Sequence, residues 1–456
     1  MPKSLTLEPD ATGDEWFGKA NPTFVFRPIH YLGSKLRVLE AIESAIDRAD
    51  PTGGPVCDLF SGSATVSRYL SRSRRVAAVD IQEYARVIAD AVLNGDETRS
   101  LAFIEDALDR SSLSDAVRQA VEPLTTLENA AAMNAVGGDI EPLCELLDVG
   151  SLVGTNGGEL LSASPLGNAM RETQARLDAL ALPDADTVCV RHFGGQYFSF
   201  AQAAELDAIA TFARNSGSSV PLAATLSTAS QLVNSIGKQF AQPIRPRDKS
   251  GAPKRHVVRK IVAERSVAAQ SVFASYLQQY RGLDITRRDH IAVRENFEDA
   301  LANPAFKPSV VYADPPYTRD HYSRFYHSLE TIALGDDPII TSSNLGGGAV
   351  QSRGGYRAGR HQSPFCIKSK APAAFTALFS GVAALRVPLV LSYSGYDPNM
   401  EARPRVMALE AVTQLAREHF AEVRVDVIDN FDHMKLNTVA LNKVAKGTNE
   451  VLITCS

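Results

Sequence analysis

Four consecutive residues combine the groups that would bind a planar base carrying an amino group: Asp314, Pro315, Pro316 and Tyr317. They follow the apolar run 310–313, which predicts a buried strand. Proline ends such a strand because it cannot continue the ladder of backbone hydrogen bonds. The Asp314 carboxylate and the Pro315 carbonyl would accept amino hydrogens, and the Tyr317 ring would stack on the base. The alternative is an ordinary turn, in which Asp-Pro and Pro-Pro are common.

A second motif indicates a nucleoside-like ligand at the same edge of a sheet. Residues 56–60 predict a short buried strand, followed by the small-residue turn 61–65 and a helix. Such turns let backbone N–H groups approach a ligand closely. The next strand, 75–79, ends at Asp80, where a carboxylate commonly receives ribose hydroxyls. Because Ala64 stands where the dinucleotide fingerprint has its next glycine, a bound pyrophosphate is not expected; an ordinary strand–turn–helix is the alternative.

A third motif lies upstream, where an aromatic residue and a lysine flank a flexible turn. Tyr31, Gly33 and Lys35 precede a predicted helix over 36–46. Alone this motif is a weak signal, since Gly-Ser-Lys commonly opens a helix. In chain order, the Tyr31–Lys35 motif comes first, the strand and turn over 56–65 second, the strand ending in Asp80 third and the tetrapeptide last. This ordered set is a much rarer pattern than any one of the motifs.

Predicted strands and helices alternate at the two ends of the chain, which indicates a doubly wound α/β fold with a parallel sheet. We expect an N-terminal extension over 1–27, a sheet domain over 28–96 and 289–456, and an inserted, largely helical region over 97–288. The predicted strands are 56–60, 75–79, 290–294, 309–313, 387–393, 423–428 and 449–454, the last closing an antiparallel hairpin at the sheet edge.

The composition is that of a globular protein and argues against several classes. Of the 456 residues, 45% are hydrophobic and 22% are charged, with a net charge of −5. No apolar run is long enough to cross a bilayer, and the N-terminus lacks the apolar segment of a secretion signal. The five cysteines show neither metal-ligand spacing nor a disulfide framework, so we expect a cytoplasmic protein without a metal site. Nucleic-acid binding would depend on local basic patches.

Taken together, the motifs resemble those of the Dam-like, adenine-N6-specific DNA methyltransferases, which use S-adenosyl-L-methionine. The resemblance covers residues 28–95 and 290–456, roughly half of the chain, and is weak between them. It implies a Rossmann-like doubly wound methyltransferase sheet, interrupted by a target-recognition, DNA-binding region over 97–288.

The resemblance also implies roles for particular residues. Asp58 to Gly62 would form the loop under the methionine part of the cofactor, and Asp80 would hold its ribose. Asn296 and Phe297 would lie near its adenine ring. The residues expected to bind the cofactor are Tyr31, Gly33, Ser34, Lys35, Asp58, Phe60, Ser61, Gly62, Asp80, Ile81, Asn296, Phe297 and Asp314; those expected to be catalytic are Asp314, Pro315, Pro316 and Tyr317.

Methyl transfer from a sulfonium is an in-line displacement that depends mainly on positioning. The amino nitrogen of adenine is a poor nucleophile because its lone pair is delocalised into the ring. Holding both amino hydrogens on Asp314 and Pro315 would draw the nitrogen toward a pyramidal form, and the carboxylate would stabilise the developing positive charge. The base must leave the duplex, and stacking on Tyr317 would be worth about 1–3 kcal/mol. No metal is required.

Basic and aromatic residues in two segments are candidates for contacts to DNA. The candidates are Lys238, Arg245, Arg247, Lys254 and Arg255 in the inserted region, and Arg319, His321, Tyr322 and Arg324 after the tetrapeptide. A solvated charged surface is the alternative for the first group. The segment 346–360 predicts either a phosphate-contacting lid or a surface loop. The aromatic run 193–198 predicts a packed turn, with a wedge for base extrusion as the alternative.

The function expected from these residues is site-specific methylation of the N6 amino group of adenine in double-stranded DNA, by base flipping. A restriction–modification or phage-defence setting is expected, with a restriction endonuclease as a functional partner. The same chemistry on RNA adenine or on the N4 amino group of DNA cytosine is the first alternative. The second is a nucleic-acid-binding module with a degenerate, cofactor-free sheet, against which the intact motifs weigh.

Overall fold

The computed structural model describes residues 26–95, 112–161, 163–285, 289–344, 349–394, 405–428 and 450–456. Almost all of the expected N-terminal extension and the glycines at 346–348 lie outside these ranges. The strands are β1 (Val56–Leu59), β2 (Val76–Asp80), β3 (Ile291–Arg294), β4 (Val310–Ala313), β5 (Ser342–Asn344), β6 (Ala349–Gln351), β7 (Leu389–Ser394), β8 (Val423–Val427) and β9 (Glu450–Cys455).

Seven strands form one sheet in the order β3–β2–β1–β4–β7–β9–β8, and β5 pairs with β6 separately. The first five strands of this order run parallel. β9 runs antiparallel between β7 and β8. All seven strands of the main sheet fall where the sequence predicts strands, and the hairpin of β8 and β9 lies at the edge as expected. β9 itself is an inner strand, because β8 lies outside it.

The helices carry the rest of the described chain. They are α1 (Leu39–Ala49), α2 (Thr65–Leu70), α3 (Glu83–Asn94), α4 (Ser112–Ala120), α5 (Glu122–Gly137), α6 (Glu141–Val149), α7 (Pro165–Ala179), α8 (Phe200–Arg214), α9 (Ser219–Leu232), α10 (Arg255–Arg265), α11 (Ala269–Arg281), α12 (Phe297–Ala302), α13 (Tyr322–Phe325), α14 (His327–Leu334), α15 (Ala371–Leu385) and α16 (Leu409–Arg417). The helix expected over 36–46 begins later, since residues 36–38 form a turn before α1.

Successive residues of the central strands pack on opposite faces of the sheet. Val310 and Tyr312 of β4 join the cluster under α1 and α2, whereas Val311 and Ala313 join the cluster under α12, α15 and α16. β1 and β4 are buried along their whole length. Burial on both faces explains why these strands are apolar runs without alternation, as doubly wound parallel strands are.

Much of the helical region between β2 and β3 shares a hydrophobic cluster with the sheet. Its helices α8, α9 and α11 pack into the same hydrophobic cluster as α3 and Ala78 of β2. α9 lies against both α3 and α11. These helices continue the layer of α3 outward from the sheet. The bounds 97–288 expected for an inserted domain stay a prediction. A smaller cluster joins α5, α6 and α10.

The chain order reverses between β1 and β4. From β1 the sheet grows outward through β2 to β3, and β4 then returns to the other side of β1. In open α/β sheets the cleft for a ligand forms at such a reversal, beyond the carboxyl ends of the strands. The loop after β1 and the tetrapeptide after β4 meet at this position.

Three further findings concern the described residues. All five cysteines are buried and unpaired. No described helix is both long and apolar enough to span a membrane. Among the same residues no three His, Cys, Asp or Glu side chains come together as ligands for a metal ion.

Candidate active site

A cavity opens at the carboxyl ends of β1, β2 and β4. Its wall contains the predicted residues Tyr31, Gly33, Ser34, Lys35, Asp58, Phe60, Ser61, Asp80, Ile81, Asn296, Phe297, Asp314, Pro315, Pro316, Tyr317 and Tyr322. Gly62 lies beside it and contributes a backbone hydrogen bond to Asp80. The fold thus gathers three motifs that are separated by up to hundreds of residues in sequence.

The loop after β1 is a tight turn with three residues in the left-handed region. Phe60, Gly62 and Ala64 have φ of 65°, 53° and 56°. The Gly62 N–H donates to Asp80 Oδ2 at 2.9 Å, and the Gln82 N–H donates to Oδ1 at 2.9 Å. The left-handed conformation of Ala64 is one that glycine adopts without strain, which explains why a glycine would be expected there. The loop keeps its tight path despite the methyl group.

Tyr31 closes over this loop. Its ring stacks on Tyr326 at 5.0 Å between centroids. A Cβ added to Gly62 would lie 2.4 Å from the Tyr31 hydroxyl oxygen. The Gly62 backbone and the Tyr31 ring are therefore so close that a side chain at position 62 would clash with the ring.

Replacing Gly62 by alanine is expected to abolish measurable cofactor binding and to lower the free energy of unfolding by more than about 2 kcal/mol. The left-handed backbone costs about 1–2 kcal/mol, and the clash with Tyr31 adds to it because Tyr326 holds that ring in place. Urea unfolding and equilibrium binding of labelled S-adenosyl-L-methionine measure the two effects.

Gly53 provides the matched control. It also has a left-handed backbone, with φ of 69°, but an added Cβ would meet no atom within 4 Å. Gly53→Ala is expected to show only the backbone cost and to bind the cofactor normally. Equal losses in the two variants would show that the contact with Tyr31 is unimportant.

Lys35 lies at the centre of a buried charged cluster. Its Nζ is 2.9 Å from Asp314 Oδ2 and 3.1 Å from Glu450 Oε1. Ser392 Oγ donates to the same Glu450 oxygen at 2.5 Å. The Lys35 and Glu450 side chains are 7% and 1% exposed, so water screens these charges weakly. Lys35 pairs with the Oδ2 oxygen of Asp314, so the Oδ1 oxygen lies outside this ion pair.

Glu450 is the functional candidate that sequence reasoning missed. It opens β9, and the antiparallel insertion of that strand beside β7 brings it to Ser392 and Lys35. The local signal is a single carboxylate before the apolar run 451–453, which is also the pattern of an ordinary strand entrance.

Burial dominates the titration of the carboxyls around the cavity. It raises the pKa of Asp58 to about 7, against a hydrogen bond from Ser67. It raises the pKa of Asp80 to about 6, against backbone hydrogen bonds. Burial raises the pKa of Asp314 to about 6 as well, against the attraction of Lys35. Burial alone would lower the pKa of Lys35, but Asp314 and Glu450 raise it well above its usual value. Several acids around one ammonium make the cavity attractive to a cation.

Aromatic rings form two parts of the wall. Phe60 lies 5.5 Å from Phe297 and 5.4 Å from Phe365, measured between ring centroids. Phe365 has no motif to mark it in the sequence. On the other side, the Tyr317 ring lies 5.1 Å from Tyr393, with Arg405 over it at 5.0 Å. The phenylalanine group offers a flat apolar surface for a base, whereas the Tyr317 ring already has a guanidinium group over it.

The predicted DNA contacts divide into two sets. In the helical region, Lys238 and Arg247 form ion pairs with acidic side chains. Lys254 and Arg255 donate to main-chain carbonyls, while Arg245 is exposed. After the tetrapeptide, Arg319 and Arg324 are exposed, His321 lies partly buried among them, and Tyr322 donates to the Leu32 carbonyl at 3.3 Å. The set near the cavity is the better placed for a substrate, because its cations are not committed to ion pairs within the described residues.

The aromatic run 193–198 is packed as expected. Phe193, Tyr197 and Phe198 are at most 1% exposed. Tyr197 donates to the Phe240 carbonyl at 2.6 Å. A wedge entering DNA would have to be free of such packing, so the run is a structural turn.

The cavity lies at the strand-order reversal of a mostly parallel sheet, with Asp58, Asp80 and Asp314 near the ends of the neighbouring strands. In α/β domains this is the position where ligands bind. Residues 31–120 and 272–346 match the model of the D12 class of N6 adenine-specific DNA methyltransferases. A stretch of 145 residues is 30% identical to the modification methylase LlaI of Lactococcus lactis subsp. lactis, covering 32% of this chain and 20% of that protein. Over these two segments the match supports the resemblance inferred from the sequence, to an adenine-specific DNA methyltransferase family. The match spans about a fifth of the length of this curated relative.

Proposed function

We propose that the protein is a site-specific DNA methyltransferase that transfers a methyl group from S-adenosyl-L-methionine to the N6 amino group of adenine. The observation that carries the proposal is the Asp314 carboxylate, fixed by Lys35 at 2.9 Å in the wall of the cavity. The match of residues 31–120 and 272–346 supports it, because these segments contain Lys35, the loop after β1 and the tetrapeptide.

The residues present fit S-adenosyl-L-methionine, which supplies an electrophilic methyl group on a sulfonium when bound. Asp58 and Asp80 place negative charge beside the loop, where a cationic ligand gains from it. Gly62 brings no side chain to the loop, and an added Cβ would meet the Tyr31 ring. Phe60, Phe297 and Phe365 would receive an adenine ring, with Asn296 next to them.

The catalytic groups of the chain then act on the amino group of the target adenine. Lys35 occupies Oδ2 of Asp314, which leaves Oδ1 to accept one amino hydrogen. The carbonyl of Pro315 accepts the other, since both residues line the cavity. As positive charge develops on the nitrogen, Asp314 stabilises it at no cost in reorganisation, because Lys35 already holds the carboxylate in place.

The target adenine would reach this position by rotating out of the duplex. Tyr317, which lines the cavity, would stack on it through the part of its ring that Arg405 does not cover. The helices α4 to α11 would contribute sequence recognition, with Arg245 as an exposed basic residue of that region. A role beside a restriction endonuclease draws support from the name of the similar Lactococcus protein, a modification methylase.

Incubation of the full chain with labelled S-adenosyl-L-methionine and DNA or RNA, followed by nucleoside analysis, tests the activity. Label is expected in DNA as N6-methyladenine. Label found only as methylcytosine, or only in RNA, would replace the proposal by the corresponding alternative substrate.

The rate of methyl transfer is expected to fall as the pH drops below about 6, because Asp314 must be ionised to accept an amino hydrogen. Burial raises its pKa to about 6, and the positive charge of a bound donor lowers that value, so the decline begins at or below this pH. Single-turnover rates with saturating donor across this range measure it.

Glu450→Gln provides a directional control for that profile. Glu450 raises the pKa of Asp314 by its negative charge, so its neutral isostere should move the decline to lower pH. A decline at the same or at a higher pH in this variant would show that the titration of Asp314 does not set the pH profile.

A further inference from the structure

A cluster of cations lies next to the cavity, outside the three motifs. The guanidinium carbons of Arg324 and Arg360 lie over the same ring, that of Tyr356, at 5.0 and 5.2 Å from its centroid. Within the described residues neither guanidinium group takes part in a hydrogen bond or an ion pair. Arg360 Nε is buried without a hydrogen-bond partner.

The surrounding structure holds Tyr356 firmly. Its hydroxyl donates to the Ala241 carbonyl, and the His327 ring packs edge-on against it at 5.1 Å. His327 in turn donates to the Phe240 carbonyl at 3.0 Å. The Tyr356 ring is thus fixed between α14, the loop before the short 3-10 helix 364–366 and the helical region. The two arginines pack on this ring.

Neighbouring arginines in the same loop behave differently. Arg353 forms an ion pair with Asp148 at 2.9 Å, and Arg357 forms one with Asp336 at 2.6 Å. Arg360 faces another cation instead, and both burial and Arg324 lower its pKa. Like charges held together without a counter-charge cost free energy, which an anion bound between them would recover.

The cluster is continuous with the cavity. His361, the next residue after Arg360, lines the cavity wall. Burial lowers the pKa of His321, and the positive charges of the nearby Arg360 and Arg324 lower it further. The negative charge of Asp320 acts in the opposite direction. His321 Nδ1 is buried without a hydrogen-bond partner. The positive region therefore extends from the mouth of the cavity to the Tyr356 platform.

From this geometry we infer that Arg324 and Arg360, stacked on Tyr356, form a binding site for the phosphodiester backbone of DNA beside the target adenine. Two guanidinium groups provide planar, multiple N–H donors that match phosphate oxygens. The stacking on Tyr356 restricts both side chains before binding, so less conformational entropy is lost on contact. The inference rests on the proposed function and adds Tyr356 and Arg360 to the substrate surface; neither lies in a segment of the family match.

Salt-dependent binding of the full chain to a fluorescent mixed-sequence DNA duplex tests the inference. Arg360→Gln and Arg324→Gln are each expected to weaken binding roughly tenfold at about 0.1 M salt and to reduce the slope of log K against log salt by about 1. Arg360→Lys keeps the charge and should largely keep the slope. Arg417→Gln, an exposed arginine at the end of α16, should change neither quantity.

Two further measurements make the outcomes separable. Thermal unfolding shows that each variant is folded, and binding of labelled S-adenosyl-L-methionine should be unchanged because neither arginine lines the cavity. An unaltered salt slope in both glutamine variants would overturn the inference. It would also be overturned if these variants bound duplex DNA like the parent and lost affinity only for RNA. A reduced slope in a protein that transfers no methyl group would support the phosphate site while contradicting the proposed function.

Discussion

Replacing Asp314 by alanine is expected to abolish methyl transfer while cofactor binding remains measurable. The carboxylate is the charged acceptor for the amino group, and loss of one such electrostatic contact typically costs about 10²–10³-fold in rate. Lys35 keeps a partner in Glu450, at 3.1 Å, so the substitution does not leave the ammonium unpaired. Single-turnover kinetics with labelled donor and equilibrium binding of the donor measure the two properties separately.

Glu298→Gln serves as the control for that variant, because Glu298 is exposed on α12 near the same edge of the sheet. It removes one carboxylate charge from the protein without altering the cavity and should retain the parent rate. Near-normal turnover in Asp314→Ala would exclude the proposed role of the carboxylate, whereas a failure to bind the donor would identify Asp314 as a cofactor residue first.

Replacing Lys35 by methionine is expected to lower the free energy of unfolding by roughly 3–5 kcal/mol and to remove activity. The ammonium is the common partner of Asp314 and Glu450. Without it the Asp314 and Glu450 carboxyls lose their shared cation, and the pKa of Asp314 rises further because the attraction of Lys35 is gone. Urea unfolding at neutral pH measures the loss of stability.

A double substitution isolates the cause of that loss. In Lys35→Met with Glu450→Gln one of the two stranded charges is also removed, so part of the stability should return. Lys260→Met is the control, because its side chain is 69% exposed and its ion pair with Glu264 is 3.8 Å long. It should change stability by less than about 0.5 kcal/mol. Similar losses at Lys35 and Lys260 would contradict a structural role for the buried cluster.

The parts of the site that the sequence predicts are those carried by local motifs at strand ends. Asp58, Asp80 and Asp314 each occupy or follow a short apolar run, and parallel strands bring such ends to one edge. Lys35 belongs to the same group because its turn precedes the first helix. The order of the motifs predicts the doubly wound sheet, and the structure contains it with small shifts in the element boundaries.

The parts that the sequence does not predict depend on contacts between distant segments. Glu450 reaches Lys35 only because β9 inserts antiparallel beside β7. Arg247 is a basic residue in a basic run, but Glu141 and Asp148, far away in the chain, pair with it. Arg360 is one of three similar arginines in its loop, and only the packing of Tyr356 distinguishes it. Composition and spacing do not encode such pairings.

The shared core of α3 with α8, α9 and α11 bears on whether these helices could be exchanged as a unit. A recognition region with its own core can be exchanged between relatives as a self-contained cassette. Here the helices between β2 and β3 cover the apolar surface of α3, whose residues Tyr84, Ile88 and Val92 are at most 2% exposed. Removing these helices would expose that apolar surface of α3, so we expect the region to tolerate substitution at its surface better than wholesale exchange.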